Sequence, residues 1–289
     1  MILKLGIPKG SLQEPTIRAM MKAGYRITLS ERSYAPHIDD PSISGLLIRA
    51  QEIPRYVEKG VLDAGITGRD WILEQGARIK EICELRYAKS GIAPVRWVVA
   101  VPYSSPVKKL RDLKGKTIAT ELVNYTKKYL ARRRIKARVE FSWGATEAKP
   151  PDLADAIVDL TETGSSLKAN NLHEIETILE STTVFIANTK SWKNAWKKRK
   201  IQNLALLLKG AIFSEEKVGL KMNVPRRVLS RVLKELPAIQ SPTLADLIDK
   251  KWVSVEVIVD ESLVRDIIPR IKGAGATGIV EYPLNKIIY

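Results

Sequence analysis

Apolar and polar positions along this chain fall into short runs with two alternating periods. Residues 2–7 form an apolar run that ends in Pro8-Lys9-Gly10-Ser11, and Ile17, Met20 and Met21 then recur at helical spacing as far as Gly24. This predicts a strand, a glycine turn and a helix. Ser11 is its expected N-cap, Glu14 completes a capping box, and Gly24 ends it. The theme returns along the chain. Residues 46–57 (LLIRAQEIPRYV) read as a strand with Arg49 at its exit and a helix starting near Ile53-Pro54. Residues 63–70 (DAGITGRD) read as a strand and glycine turn before a helical Trp71-Ile72-Leu73. Further strands are expected at 95–101, 116–120 and 139–143, with a helix through Tyr125 and Leu130. A loop, GATEAKPPD, then leads to another apolar run, Ala156-Ile157-Val158, that ends on Asp159.

Strands alternating with helices predict an α/β fold with mainly parallel sheets, whose ligands bind at the carboxyl ends of the strands. Lys9, Arg49, Thr67, Gly68, Glu147 and Asp159 all fall at or just after such ends. The last part changes style. Strands at 218–223, 242–247, 252–259 and 277–281, with helices at 226–236 and 263–272, spell β-α-β-β-α-β, a ferredoxin-like α+β unit. A boundary near Ser214 follows.

Composition narrows the class. The 289 residues are 45% hydrophobic, which suits a globular protein with a sizeable core. No apolar run reaches bilayer-spanning length, and the N-terminal residues lack a signal-peptide pattern, so a cytoplasmic protein with no membrane role is expected. The single cysteine, Cys83, excludes an intramolecular disulfide and is expected as a small buried apolar side chain. His37 and His173 show no zinc spacing, and there is no nucleophile elbow, P-loop or dinucleotide fingerprint. Net charge is +16, which attracts polyanions. Seven cations lie in 127–138. Six more lie in 190–200 (KSWKNAWKKRK), where Trp192 and Trp196 stand one helical turn apart. Tryptophans beside lysines could stack RNA bases, but the helical spacing favours inward tryptophans and solvated lysines, and no RNA-binding signature is present. No specific nucleic-acid partner is therefore expected.

The richest stretch is 154–172, ADAIVDLTETGSSLKANNL. A buried strand feeds a turn of acids and hydroxyls, and a helix-compatible segment opens at Leu167. Gly164 permits close backbone approach, the neighbouring N–H and hydroxyl groups can hold a phosphate, and Asp159 and Glu162 can accept from a sugar diol or help hold magnesium. A Thr-Gly-Ser-Ser turn by itself also suits an ordinary helix cap. The two acids on the same turn point to a phosphorylated sugar.

That stretch resembles the phosphoribosyl-pyrophosphate signature of the ATP phosphoribosyltransferase family. So do the opening GIPKGSL, the segment RAQEIPRYVEKGVLDAGITGRDW, the loop SWGATEAK and the ending GATGIVEYPLNKII, which is similar to the long form of the family. The resemblance implies two periplasmic-binding-protein-like (type II) lobes: residues 1–94 with 185–213, and 95–184. It also implies a C-terminal histidine-binding domain over 214–289. The implied reaction joins N1 of ATP to C1 of phosphoribosyl pyrophosphate and releases pyrophosphate, with Mg2+ held mainly by substrate phosphates and Asp159 or Glu162 as candidate additional ligands. Asp159, Glu162, Thr163, Gly164, Ser165 and Ser166 would hold phosphoribosyl pyrophosphate. Lys9, Gly10, Ser11, Arg49, Asp70 and Glu147 would line the ATP site, although Ser11 stands where relatives often carry arginine. Asn223, Thr243 and Gly278 are the candidate contacts for histidine as feedback inhibitor, and AMP is a candidate second inhibitor. Dimers and hexamers are implied. Two rivals share parts of the pattern: a non-catalytic two-lobed anion-binding protein and an RNA-binding protein.

Overall fold

Buried strands with apolar side chains on both faces build two sheets, and their order sets the architecture. The computed structural model describes residues 1–30, 33–87, 94–237 and 241–288. The first lobe runs through β1 (Leu3–Lys9), α1 (Gln13–Ala23), the short β2 (Ile27–Thr28) and β3 (His37–Ile38), β4 (Ile43–Arg49) and α2 (Ile53–Glu58). It continues through β5 (Ala64–Gly68), α3 (Arg69–Gln75) and β6 (Lys80–Leu85). The second lobe holds β7 (Val95–Pro102), β8 (Thr117–Thr120), α4 (Val123–Arg132), β9 (Arg138–Phe141), β10 (Ala156–Thr161), α5 (Ser165–Ala169) and β11 (Leu172–Ser181). The chain then returns to the first sheet as β12 (Thr183–Ala187) and leaves through α6 (Thr189–Lys193) and α7 (Ala195–Phe213).

The sheets have orders β4-β1-β5-β12-β6 and β9-β8-β10-β7-β11. In each, three parallel strands are followed by one antiparallel strand, β12 or β7, that has just crossed from the other lobe, and then by an edge strand, β6 or β11, antiparallel to it. This shared order is the type II periplasmic-binding-protein arrangement. Residue alternation packs each sheet on both sides. In β7, Trp97, Val99 and Val101 join Leu130 of α4, whereas Val98 and Ala100 join Leu167 of α5. The crossovers lie side by side: Thr183 pairs with Leu85, and the Thr183 hydroxyl donates to the Tyr87 carbonyl at 2.9 Å.

The chain divides into two compact units, Met1–Ala205 and the remainder from Leu206, so the division falls inside α7. The second unit contains β13 (Lys217–Pro225), α8 (Leu229–Lys234), β14 (Thr243–Asp246), β15 (Trp252–Asp260), α9 (Glu261–Ala274) and β16 (Thr277–Pro283). Its order, β14-β15-β13-β16, is antiparallel throughout and ferredoxin-like. Every second residue of β13 and β15 packs against Val232 of α8 and Val264, Ile267 and Ile271 of α9. On the other face the Tyr282 ring lies over Gly219, where a Cβ would sit 2.2 Å from it.

Several local expectations are corrected. Ser11 does not cap α1. The Gln13 N–H closes a turn onto the Gly10 carbonyl at 3.0 Å, so Leu12 takes the cap position without a side-chain acceptor. Met21 is 57% exposed, because the buried face of α1 runs through Pro15, Thr16, Ala19, Met20 and Ala23. Trp192 and Trp196 do not share one helix. Asn194 turns extended and caps α7 by accepting from Lys197 N at 3.0 Å, and both rings are half-buried. Cys83 is likewise only half-buried.

Candidate functional site

Parallel strands end at one edge of each lobe, and a cleft opens where the two edges meet. Lys9 and Arg49 are register partners at the ends of β1 and β4. Gly10, with φ of +100°, bends the chain so closely past Arg49 that a Cβ there would lie 3.2 Å from the guanidinium. The Lys9 ammonium sits 4.3 Å from the Tyr34 ring centroid. From the second lobe, β10 presents Asp159, Leu160 and, beyond its end, Glu162. Lys9, Ser11, Arg49, Asp70, Asp159 and Glu162 all line this cleft. Gly10, Glu147 and Thr163 to Ser166 adjoin lining residues in sequence or through their charge without lining it themselves.

Asp159 is the electrostatic centre. Its Oδ1 accepts the Leu160 N–H at 2.8 Å. Burial pushes its carboxyl up to about 7; the Leu160 N–H opposes the rise, while the charges of Glu147 and Glu121 add to it. A group that titrates so close to neutrality is poised to respond to donors or cations brought by a ligand. The segment after Glu162 folds tightly on itself. Buried Thr161 accepts the Gly164 N–H on its hydroxyl at 2.8 Å, and Thr163 Oγ1 donates to Ser165 Oγ at 3.0 Å. Gly164 has φ of +77°, and a Cβ placed there would meet nothing within 4 Å, so glycine serves the backbone conformation here and not a tight space. α5 starts immediately after it, leaving the amides of Ser165 and Ser166 at a helix start.

Asp70 has a different environment. It is 2% exposed. Its Oδ2 accepts Trp97 Nε1–H at 2.7 Å, its Oδ1 accepts the Trp71 N–H at 3.0 Å, and its own N–H donates to Ser181 Oγ at 3.0 Å. Burial raises its carboxyl pKa against the pull of those hydrogen bonds. It ties α3 of one lobe to β7 and the end of β11 in the other.

Sequence reasoning missed Arg86 and Tyr87 on the first crossover, Ser181 to Thr183 on the second, and Glu121 and Trp97. Asp159 lies inside β10, paired with Val98 and short of the strand end at Thr161 where it was expected, whereas Glu121 does follow the end of β8, so a strand-end rule could have found it. The crossover residues carry no motif; they are found by asking where the chain changes lobe. In the C-terminal unit, a Cβ on Gly278 would lie 3.4 Å from Asn223 Nδ2, so these two candidates meet. Thr243 sits on the edge strand opposite Glu256, which pairs with Lys221 and not with Asn223. Among the described residues no three His, Cys, Asp or Glu side chains converge as a metal cluster, and no helix is long and apolar enough to cross a membrane.

A family model described as ATP phosphoribosyltransferase matches residues 49–210, and one for the C-terminal domain of the same family matches residues 214–286. The ATP phosphoribosyltransferase of Thermodesulfovibrio yellowstonii is 63% identical over 287 residues, covering 99% of this chain and 98% of that protein. That of Chlorobaculum parvum is 58% identical over the same shares. Among solved structures, the ATP phosphoribosyl transferase (HisG:HisZ) complex from Thermotoga maritima superimposes with a TM-score of 0.62 at 29% identity, over 72% of this chain and 99% of that chain. With a family model spanning most of the catalytic unit and relatives aligned end to end, the chain belongs to the ATP phosphoribosyltransferase family.

Proposed function

We propose that this chain is an ATP phosphoribosyltransferase of histidine biosynthesis. It would join ATP and phosphoribosyl pyrophosphate into N1-(5-phosphoribosyl)-ATP and pyrophosphate, the first step of that pathway. The adenine N1 lone pair forms the new bond to C1 while the C1–O electrons leave with pyrophosphate. No enzyme nucleophile is required, so the work of the protein is alignment and charge complementarity. The observation that carries this reading is the facing of unlike walls: Asp159 and Glu162 from one lobe, Lys9 and Arg49 from the other, around one cleft.

In this reading Asp159 and Glu162 accept from the ribose hydroxyls. Thr163, Gly164, Ser165 and Ser166 hold the 5-phosphate through amides and hydroxyls. Lys9, Ser11 and Arg49 line the nucleotide side with Gly10 between Lys9 and Ser11, and Glu147 acts on the cleft through its charge on Asp159. Asp70 lines the same side and also ties the walls together through its bonds to Trp97 and Trp71. Magnesium, when bound, would neutralise the departing pyrophosphate. In this reading the ion is held mainly by substrate phosphates, with Asp159 or Glu162 as an additional ligand.

We take residues 1–94 with 185–213, and 95–184, as the catalytic lobes, and 214–289 as the regulatory domain. Histidine would bind there near Asn223, Gly278 and Thr243 and inhibit from a distance, by biasing lobe or subunit arrangement. AMP is a second candidate inhibitor, and the working assembly is a dimer or hexamer in the cytoplasm. A test mixes the protein with ATP, phosphoribosyl pyrophosphate and magnesium and follows product absorbance with and without histidine. Product formation blocked by histidine is expected. Tight binding of either substrate with no product would instead identify a non-catalytic anion receptor.

A further inference from the structure

Helix α4 begins without a cap of its own. Leu122 holds its N-cap position and offers no side-chain acceptor, yet the first amides of any helix need partners. Two of them find one in the other lobe. Glu74, near the end of α3, accepts the Asn124 N–H on Oε1 at 2.9 Å and the Tyr125 N–H on Oε2 at 2.8 Å. Asn124 returns a bond from Nδ2 to the Glu74 carbonyl at 3.3 Å. A carboxylate in this place also complements the positive end of the α4 dipole. One turn earlier on α3, Asp70 accepts from Trp97 Nε1, and Trp71 meets Trp97 edge to face at 5.9 Å. Positions 70 and 74 share one helix face, and that face is turned to the second lobe. Glu74 does not line the cleft. The turn leading into α4 does: Glu121, whose charge bears on Asp159, stands just before the Leu122 N-cap.

We propose that Glu74 is a positioning residue for phosphoribosyl transfer: it supplies from the first lobe the cap that α4 of the second lobe lacks, and so holds the lobes in register across the substrate cleft. The inference rests on the assignment of that cleft as the substrate site. Without the cap, the approach of the lobes and the order of the Glu121 turn are no longer coupled. Substrate binding must then restore both, which shows as weaker apparent affinity. Because Glu74 makes no contact with the reacting atoms, the chemical step at saturation is retained.

The test is steady-state kinetics on Glu74→Ala and Glu74→Gln, with hydrogen exchange on the peptide spanning the start of α4. Glu74→Ala should raise KM for both ATP and phosphoribosyl pyrophosphate about tenfold while kcat stays within about threefold, and amide exchange at Asn124 and Tyr125 should accelerate. Glu74→Gln keeps one good acceptor, so its KM values should fall between those of Glu74→Ala and the unaltered protein. It also carries the test if the alanine variant does not fold. Unchanged KM values, or raised values with α4 protection intact, would overturn the proposal. Full activity in Asp159→Asn would instead overturn the cleft assignment; an inactive Asp159→Asn beside a normal Glu74→Ala would sink the positioning role alone.

Discussion

Asp159 carries a conflict between stability and activity. Its folded pKa of about 7 lies above the ordinary 3.8 because burial and the charges of Glu147 and Glu121 disfavour the anion. A carboxyl with a raised folded pKa binds its proton more tightly in the folded chain. Its contribution therefore favours folding at low pH, and stability falls as pH rises from about 4 through 7. Substrate hydroxyls and metal-borne charge would favour the anion that burial resists. Asp159→Asn should lower kcat by at least about tenfold, a change of roughly 1.4 kcal/mol in the barrier. It should also raise the melting temperature at pH 8, with the gain vanishing towards pH 4. Equal melting curves at pH 8 would mean that the anion is not strained. Asp159 was legible because it ends an apolar run. The partners that set its pKa were not, since Glu121 and Glu147 reach it through the fold. Asp70 was named only through the family resemblance; it lies in the first turn of α3, and only the structure reveals that Trp97 and Trp71 occupy its carboxylate.

At the level of elements, the strand-to-helix turns were the most readable features, because glycine and proline punctuate them. The turn from β5 into α3 shows what its glycine is for. A Cβ on Gly68 would lie 2.0 Å from Asp70 Oδ1 and 3.1 Å from its carboxyl carbon. Asp70 cannot give way without releasing Trp97 Nε1 inside a buried site. Gly68→Ala should therefore cost about 2–3 kcal/mol in denaturant unfolding, the scale of an unsatisfied buried donor plus overpacking. Gly76, which ends α3, gives the contrast: φ is +62° but nothing lies within 4 Å of a Cβ, so Gly76→Ala should cost only about 1–2 kcal/mol of backbone strain. Equal losses in the two variants would remove the case for a packed turn at Gly68. The C-terminal β-α-β-β-α-β pattern was legible from period and turn residues alone. The split of KSWKNAWKKRK into two helices is hidden by the helical spacing of its tryptophans, although Asn194 is a favourable cap residue and carries the signal. The order of strands in the two catalytic sheets came only through family resemblance, since periodicity says which residues face a core and not which strands are neighbours.

For the whole molecule, the excess of cations acts at long range and the cleft at short range, and salt separates them. Net charge is +16, and the substrates are polyphosphates, so approach is steered by a field that screens over about 10 Å at 0.1 M salt and about 3 Å at 1 M. No cation in 127–138 or 190–200 lines the cleft, and their influence on substrate capture is this shared field. Direct contacts such as those expected from Lys9 and Arg49, both exposed side chains, act over distances well below the screening length and are screened much less. Raising salt from about 0.05 M to about 0.5 M should therefore raise KM for both substrates several-fold while kcat changes by less than about twofold. Lys9→Gln should raise KM at every salt concentration but leave its salt slope nearly parallel to that of the unaltered protein, because one local contact is lost and the field is not. The same field predicts RNA binding that is weak and collapses as salt rises. A flat KM against salt would show that the charge excess has no part in capture. A slope abolished by Lys9→Gln would instead place the whole effect in one cleft lysine, and the remote cations would then need another explanation.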